Sequence, residues 1–239
     1  MTPLVLVHGF LGGAAQWAGQ VGRLGRDTVT LDLPGFGARA DEAPLDRIEA
    51  YADWVIAEIT RLGVDRYDLL GHSMGGMIVQ EVARRDRARV GRLVLYATGA
   101  QGLLPGRFET IAESKRRAEE DGAGPTARRI AATWFRDREA APAYPACAAI
   151  AEQAGLPAIH AGLDAMEAWS GGDLLSEIAA DTLILWGDRD RTYQWPQIKR
   201  LWTGIPRTRL AVVPDAAHAV HLEKPELFDA LLRDFLGPG

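Results

Sequence analysis

Cysteine is almost missing from this chain: its 239 residues include one, Cys147. A lone thiol excludes an internal disulfide and any zinc site built on cysteine pairs. Alanine-rich surroundings offer it none of the electropositive neighbours that activate a thiol, so it reads as a packed structural residue. No apolar run approaches the length needed to span a bilayer, and the N-terminus enters a strand pattern at once, with no signal-peptide pattern. A cytoplasmic protein with no membrane partner is the expectation. Positive charge is scarce as well. The formal net charge is −5, and the one basic cluster, Lys115-Arg116-Arg117, is soon followed by Glu119-Glu120-Asp121. Such a cluster is a solvated helix surface, and without a basic face the chain is not expected to bind nucleic acid.

What remains is an ordinary globular composition, 47% hydrophobic and 25% charged, long enough for one large domain or a core with an inserted subdomain. Short β-branched and leucine runs fall at residues 3–7, 28–33, 67–70, 92–96, 182–186 and 209–213. Between them the apolar spacing changes to three and four, as in Leu45, Ile48, Ala52, Val55, Ile59 and Leu62, a helix that Gly63 stops. Helix patterns also cover residues 14–24, 77–85, 193–201 and 225–235. This alternation predicts an α/β fold: a doubly wound, mostly parallel sheet with helices on both faces. From Gly99 to Glu177 the strand pattern stops, and the sequence turns alanine-rich and helical, broken by glycines and prolines. That stretch is expected to be a lid inserted over the C-terminal edge of the sheet, where such folds bind ligands. The expected organisation is a core of residues 1–98 and 178–239 with a lid of residues 99–177.

Serine is rare too, with four in the chain, and one lies in Leu70-Gly71-His72-Ser73-Met74-Gly75-Gly76 between a strand pattern and a helix pattern. With 26 glycines present, Gly-x-Ser-x-Gly arises by chance in roughly one such sequence in twenty. A strand, sharp turn and helix carrying this pattern is a nucleophile elbow, so Ser73 is the candidate nucleophile. Glycine suits the positions two before and two after because a turn this tight brings them against neighbouring backbone. The helix N-terminus beside Ser73 would favour a developing oxyanion. A tight turn whose serine merely caps the helix is the competing interpretation.

Other polar groups end strands on the same edge: Asp188 or Asp190 in Gly187-Asp188-Arg189-Asp190, and His218 in Pro214-Asp215-Ala216-Ala217-His218. Their chain order, Ser then Asp then His, differs from the chymotrypsin and subtilisin orders. Ser73 would attack a carbonyl, His218 would carry its proton to the leaving group, and an aspartate would hold the imidazole.

Taken together, Leu6-Val7-His8-Gly9-Phe10, Asp32-Leu33-Pro34-Gly35-Phe36-Gly37, the elbow, Gly187-Asp188-Arg189-Asp190 and Ala217-His218 resemble the α/β-hydrolase superfamily over essentially the whole chain. The resemblance implies the α/β-hydrolase fold and the activity of a serine esterase without metal or organic cofactor. Its Gly-x-x-Asp spacing places the acid at Asp190 rather than Asp188, and it places the base at His218 rather than His221. It also implies an oxyanion hole from the N–H groups of Met74 and Phe10. His8 and His72 become turn-stabilising residues, and His160 a packing or surface residue. The substrate pocket is expected to include Leu11, Phe108, Trp134, Met166, Trp169 and Val220. Two departures stand out. The strand hairpin with which the family commonly opens has no counterpart before Pro3, which suggests a short or trimmed form whose open sheet edge could pair with another chain, so monomer and homodimer stay open. After Gly37 the chain reads Ala38-Arg39 where many relatives carry a serine.

The leading functional expectation is hydrolysis of a small ester, lactone or thioester through an acyl-enzyme. Few charged residues near the pocket suggest an uncharged or weakly polar acyl group. An alternative is a carbon–carbon bond hydrolase or lyase acting on ring-cleavage products, with Arg39, Arg189 or Arg191 holding a carboxylate. A slow-hydrolysing ligand receptor on the same fold is a third.

Overall fold

The structure, a computed structural model, describes residues 2–106 and 109–237. Six parallel strands form its sheet: β1 (Leu4–Val7), β2 (Thr28–Leu31), β3 (Tyr67–His72), β4 (Val90–Tyr96), β5 (Asp181–Gly187) and β6 (Thr208–Val213), in the order β2-β1-β3-β4-β5-β6. Strands buried on both faces read as continuous apolar runs, and every residue of β1 is fully buried. Successive residues serve opposite layers. Val5 and Val7 pack with the helices α2 (Ile48–Arg61) and α3 (Met74–Arg85), whereas Leu4 and Leu6 pack with Phe228 and Leu232 of the C-terminal helix α10 (Pro225–Leu236). Each such side chain contributes about 1.5–3 kcal/mol on burial, and this fixes the sheet between two helical layers.

The remaining helices are α1 (Ala18–Arg23), α4 (Ile111–Asp121), α5 (Ala123–Ala132), α6 (Tyr144–Ala151), α7 (Leu156–Ala168), α8 (Trp195–Gly204) and α9 (Val220–Glu223). Four of them, α4 to α7, lie between β4 and β5 in the chain. Among the described residues no helix is long and apolar enough to cross a membrane.

Several helix starts differ from the periodic pattern, each for a local reason. Residues 14–17 form a 3-10 turn before α1, since the Ala14 N–H donates to the Asp32 carboxylate at 2.8 Å and ties this turn to the loop after β2. Helix α2 begins at Ile48, because Arg47 is extended and the Leu45 N–H is taken by the Tyr51 hydroxyl at 3.2 Å. Helix α8 begins at Trp195 rather than at Tyr193, whose N–H donates to Asp190 Oδ1 at 3.1 Å.

Sheet order reverses between β1 and β3: the chain first winds outward to β2 and then returns to the other side of β1. A crevice opens at the C-terminal ends of strands at such a switch point. The loop after β1, carrying Phe10, and the turn after β3, carrying Ser73, are thus neighbours.

Candidate active site

Ser73 sits between β3 and α3 with φ 56° and ψ −119°. A non-glycine residue held there stores on the order of 1–3 kcal/mol of backbone strain, which neighbours must offset. Three do so. Its N–H donates to the Tyr96 carbonyl at 3.0 Å, and its carbonyl accepts from Gly76 N–H at 2.9 Å and from the Thr98 hydroxyl at 2.7 Å. The flanking glycines are sterically required: a Cβ on Gly71 would lie 2.3 Å from the Gly75 carbonyl oxygen, and one on Gly75 would lie 2.4 Å from that of His8. Those oxygens are backbone and cannot swing away, so the elbow closes only with glycine at both positions.

His218 follows β6 and is almost fully buried. Its Nδ1–H donates to Asp190 Oδ2 at 2.8 Å. The other carboxylate oxygen of Asp190 accepts from the N–H groups of Thr192 at 2.7 Å and Tyr193 at 3.1 Å. One face of the imidazole is stacked on Tyr193 at 5.8 Å between ring centroids, with 14° between the planes. Asp188 turns elsewhere, accepting from Asp215 N–H at 2.7 Å. His221 is also buried but faces the Tyr96 hydroxyl, with Nδ1 3.0 Å away, and packs against Trp17. Asp190 and His218, the pair favoured by the family resemblance, are the two that meet.

A narrow cavity of about 30 Å³ joins Ser73 and His218. Phe10, Trp134, Met166 and Tyr193 line it, with Ile111 and Ile130 from α4 and α5 and the hydroxyl-bearing Thr133 and Thr192. Among the described residues, neither Phe10 N–H nor Met74 N–H donates to a protein acceptor, which leaves both free for an oxyanion. Leu11, Trp169 and Val220 are not in the cavity wall. Leu11 and Val220 are sealed in the two core layers. Trp169 instead donates its indole N–H to the buried Glu81 carboxylate at 3.1 Å, joining the inserted helices to α3. Phe108 lies outside the described residues. Thr98, Thr133, Thr192 and Tyr193 escaped sequence reasoning. Thr98 alone had a signal, as a polar residue just past the end of β4.

Among the described residues no lysine or arginine lines the cavity. Arg39 pairs with Glu42 at 2.6 Å and Glu58 at 3.1 Å, and Arg191 donates to the carbonyls of Phe135 and Arg136. Arg189 points to solvent beside Asp188. Three buried histidines, His72, His221 and His8, are shifted towards the neutral form. Burial, then the nearby His218 and His221, hold His72 well below the usual imidazole range, and burial followed by His218 pushes His221 down to about 3. His8 is lowered by burial, although its bond to Gly9 opposes this. It accepts Leu33 N–H at Nε2, 3.0 Å away, and so pins the Phe10 loop to the loop after β2. His160 faces Glu119 at 2.8 Å on the surface. Among the described residues no three His, Cys, Asp or Glu side chains are grouped to hold a metal ion.

The model of the alpha/beta hydrolase family matches residues 4–231. This chain belongs to the α/β-hydrolase family. Two curated relatives of this hydrolase are each 30% identical to it. One, named "Putative carbamate hydrolase RutD", is from Rhizobium rhizogenes; the match takes in 98% of this chain and 92% of the relative. The other is the 2-succinyl-6-hydroxy-2,4-cyclohexadiene-1-carboxylate synthase of Serratia proteamaculans, matched over 99% of this chain and 94% of the relative. Among solved structures, a thermophilic esterase from Thermogutta terrifontis superimposes with a TM-score of 0.88 at 26% identity, covering 99% of this chain and 89% of the other.

Proposed function

We propose that this α/β-hydrolase is a serine hydrolase cleaving small uncharged carboxylic esters or lactones through an acyl-enzyme. The observation that carries the reading is one cavity lined by Ser73 and by a His218 whose Nδ1 lies 2.8 Å from Asp190. Ser73 Oγ attacks the carbonyl carbon while His218 Nε2 takes its proton, and the carbonyl π electrons move to oxygen. The N–H groups of Phe10 and Met74 donate to that oxyanion. When the tetrahedral intermediate collapses, the C–O bond breaks and His218 returns the proton to the departing alcohol. Water then repeats the sequence on the acyl-enzyme, with His218 as base, and frees the acid and Ser73. Asp190 keeps the Nδ1–H tautomer and stabilises the imidazolium.

An uncharged acyl group fits a cavity that no lysine or arginine lines among the described residues. The same composition speaks against a substrate held by its carboxylate, the class to which the Serratia relative's name points, because Arg39, Arg189 and Arg191 are engaged or exposed outside it. The inserted segment α4–α7 acts as the lid of the site, with Ile111, Ile130, Trp134 and Met166 facing the reacting group. A panel of p-nitrophenyl esters of rising acyl length tests the proposal, together with fluorophosphonate labelling located by mass spectrometry. Short esters should turn over repeatedly, label should reside on Ser73, and Ser73→Ala should abolish both. Full turnover by Ser73→Ala, or no turnover of any ester by the wild type, would sink the proposal. Fast multiple turnover without a partner protein also separates an enzyme from a receptor on this fold.

A further inference from the structure

Two residues tie the backbone of Ser73 to the backbone of His218, and both lie outside the proposed triad. His72 directly precedes Ser73, and its Nε2–H donates to the His218 carbonyl at 3.1 Å. Tyr96 ends β4; its carbonyl accepts from Ser73 N–H at 3.0 Å, and its hydroxyl donates to the same His218 carbonyl, also at 3.0 Å. The two clamping rings stack on each other at 4.5 Å, and the His72 ring lies 4.5 Å from that of His218. The loop bearing the base is thereby registered against the elbow by two separate one-residue bridges.

The proton inventory agrees with that assignment. A carbonyl oxygen only accepts, so the bond to His218 fixes the His72 proton on Nε2. Its Nδ1 is left buried without a partner among the described residues. A phenyl ring would fill the same space without an orphaned nitrogen, so packing does not account for a histidine here. On the far side of Tyr96, the Nδ1 and backbone N–H of His221 approach the hydroxyl oxygen at 3.0 and 3.2 Å. With both donating to that oxygen, its single proton is directed at the His218 carbonyl.

We infer that His72 and Tyr96 are positioning residues, which set the separation of the Ser73 and His218 backbones and so keep nucleophile and base within reach of each other. The inference rests on the proposed roles of Ser73 and His218. Misplacing a reacting group by about 1 Å costs on the order of 100-fold in rate. Loss of one of two ties is accordingly expected to cost roughly 10-fold in kcat, with KM within about two-fold.

The test uses Tyr96→Phe, which deletes one oxygen, together with His72→Phe and His72→Gln, all assayed on the best ester well below their melting temperatures. Active sites are counted by fluorophosphonate titration. Tyr96→Phe and His72→Phe should each lower kcat per titrated site about 10-fold, and His72→Gln, which keeps a donor, should recover part of the loss. A lower melting temperature with unchanged kcat per site would mark both as merely structural and overturn the inference. Should His72→Phe not fold, Tyr96→Phe decides alone. An ester-inactive wild type, or an active Ser73→Ala, would instead overturn the reading of the site itself.

Discussion

Gly9→Ala offers a selective perturbation of the elbow from across the crevice. Gly9 lies in the loop after β1, and a Cβ built there falls 2.9 Å from the Cβ of Ser73 and 3.1 Å from the carbonyl oxygen of His72. Ordinary carbon–carbon contact begins near 3.5–4.0 Å, so roughly 0.6–1 Å must be opened. The backbone of Gly9 is not in the left-handed region, so the added methyl brings crowding without conformational strain. Neither neighbour can give way harmlessly. Moving Ser73 displaces the nucleophile, and moving the loop displaces the Phe10 N–H. The variant should fold, since overpacking of one methyl costs about 1–3 kcal/mol, or roughly 2–12 °C of melting temperature in a chain of this size. Its kcat should fall on the order of 10- to 100-fold with KM little changed, because ground-state binding in the cavity does not use this contact. Steady-state ester kinetics, normalised to sites titrated with a fluorophosphonate, provide the measurement. Wild-type kcat in a folded Gly9→Ala protein would refute the close approach of the two loops on which the proposed oxyanion geometry depends.

Four further expectations concern separate parts of the structure. Asp190→Asn should reduce kcat on the order of 10³–10⁴-fold with a small change in stability, as measured by ester turnover and thermal melts, because the amide oxygen can still accept from Thr192 and Tyr193. His72 and His221 have folded-state pKa values below the ordinary 6.5. The unfolded chain therefore binds their protons first, and stability present above about pH 6.5 is lost as pH falls towards 3, by at most about 1.4 kcal/mol per unit for each group. Urea unfolding between pH 7 and 4 should show that slope, and His221→Asn should make it shallower; an identical slope in both proteins counts against a buried neutral His221. Trp169→Phe should cost about 1–3 kcal/mol by leaving Glu81 Oε1 without its indole donor, with acyl-length preference unchanged. Met166→Ala should shift that preference towards longer acyl groups, because Met166 lines the cavity and Trp169 does not.

Local patterns carried much of the fold. Short β-branched and leucine runs, set off by intervening period-three-to-four spacing, located all six strands, and errors fell at helix starts, where a side chain from another element captures a backbone donor, as Asp32 does at Ala14. The substrate-facing residues were harder. Leu11, Trp134, Met166, Trp169 and Val220 are alike in sequence as apolar residues near active-edge loops, yet only Trp134 and Met166 line the cavity. The direction a side chain faces depends on how the inserted helices dock, and that docking leaves no periodic trace at a single position.

By itself the sequence determined the strand-turn-helix around Ser73, because the requirement there is local: glycine two residues to either side, where any Cβ would strike backbone at 2.3 or 2.4 Å. It also determined that an acid and a histidine would end later strands on the same edge. The family resemblance already favoured Asp190 over Asp188 and His218 over His221; the residue spacing alone did not separate them, and tertiary structure brings the favoured pair together. Asp188 and Asp190 differ by two positions in one loop, and His218 and His221 by three around one short helix; they part company only when β5 and β6 lie side by side. The double clamp of His72 and Tyr96 on the His218 carbonyl spans 146 and 122 residues of chain. Contacts at such separations arise from the packing of the sheet, and no spacing in the sequence encodes them.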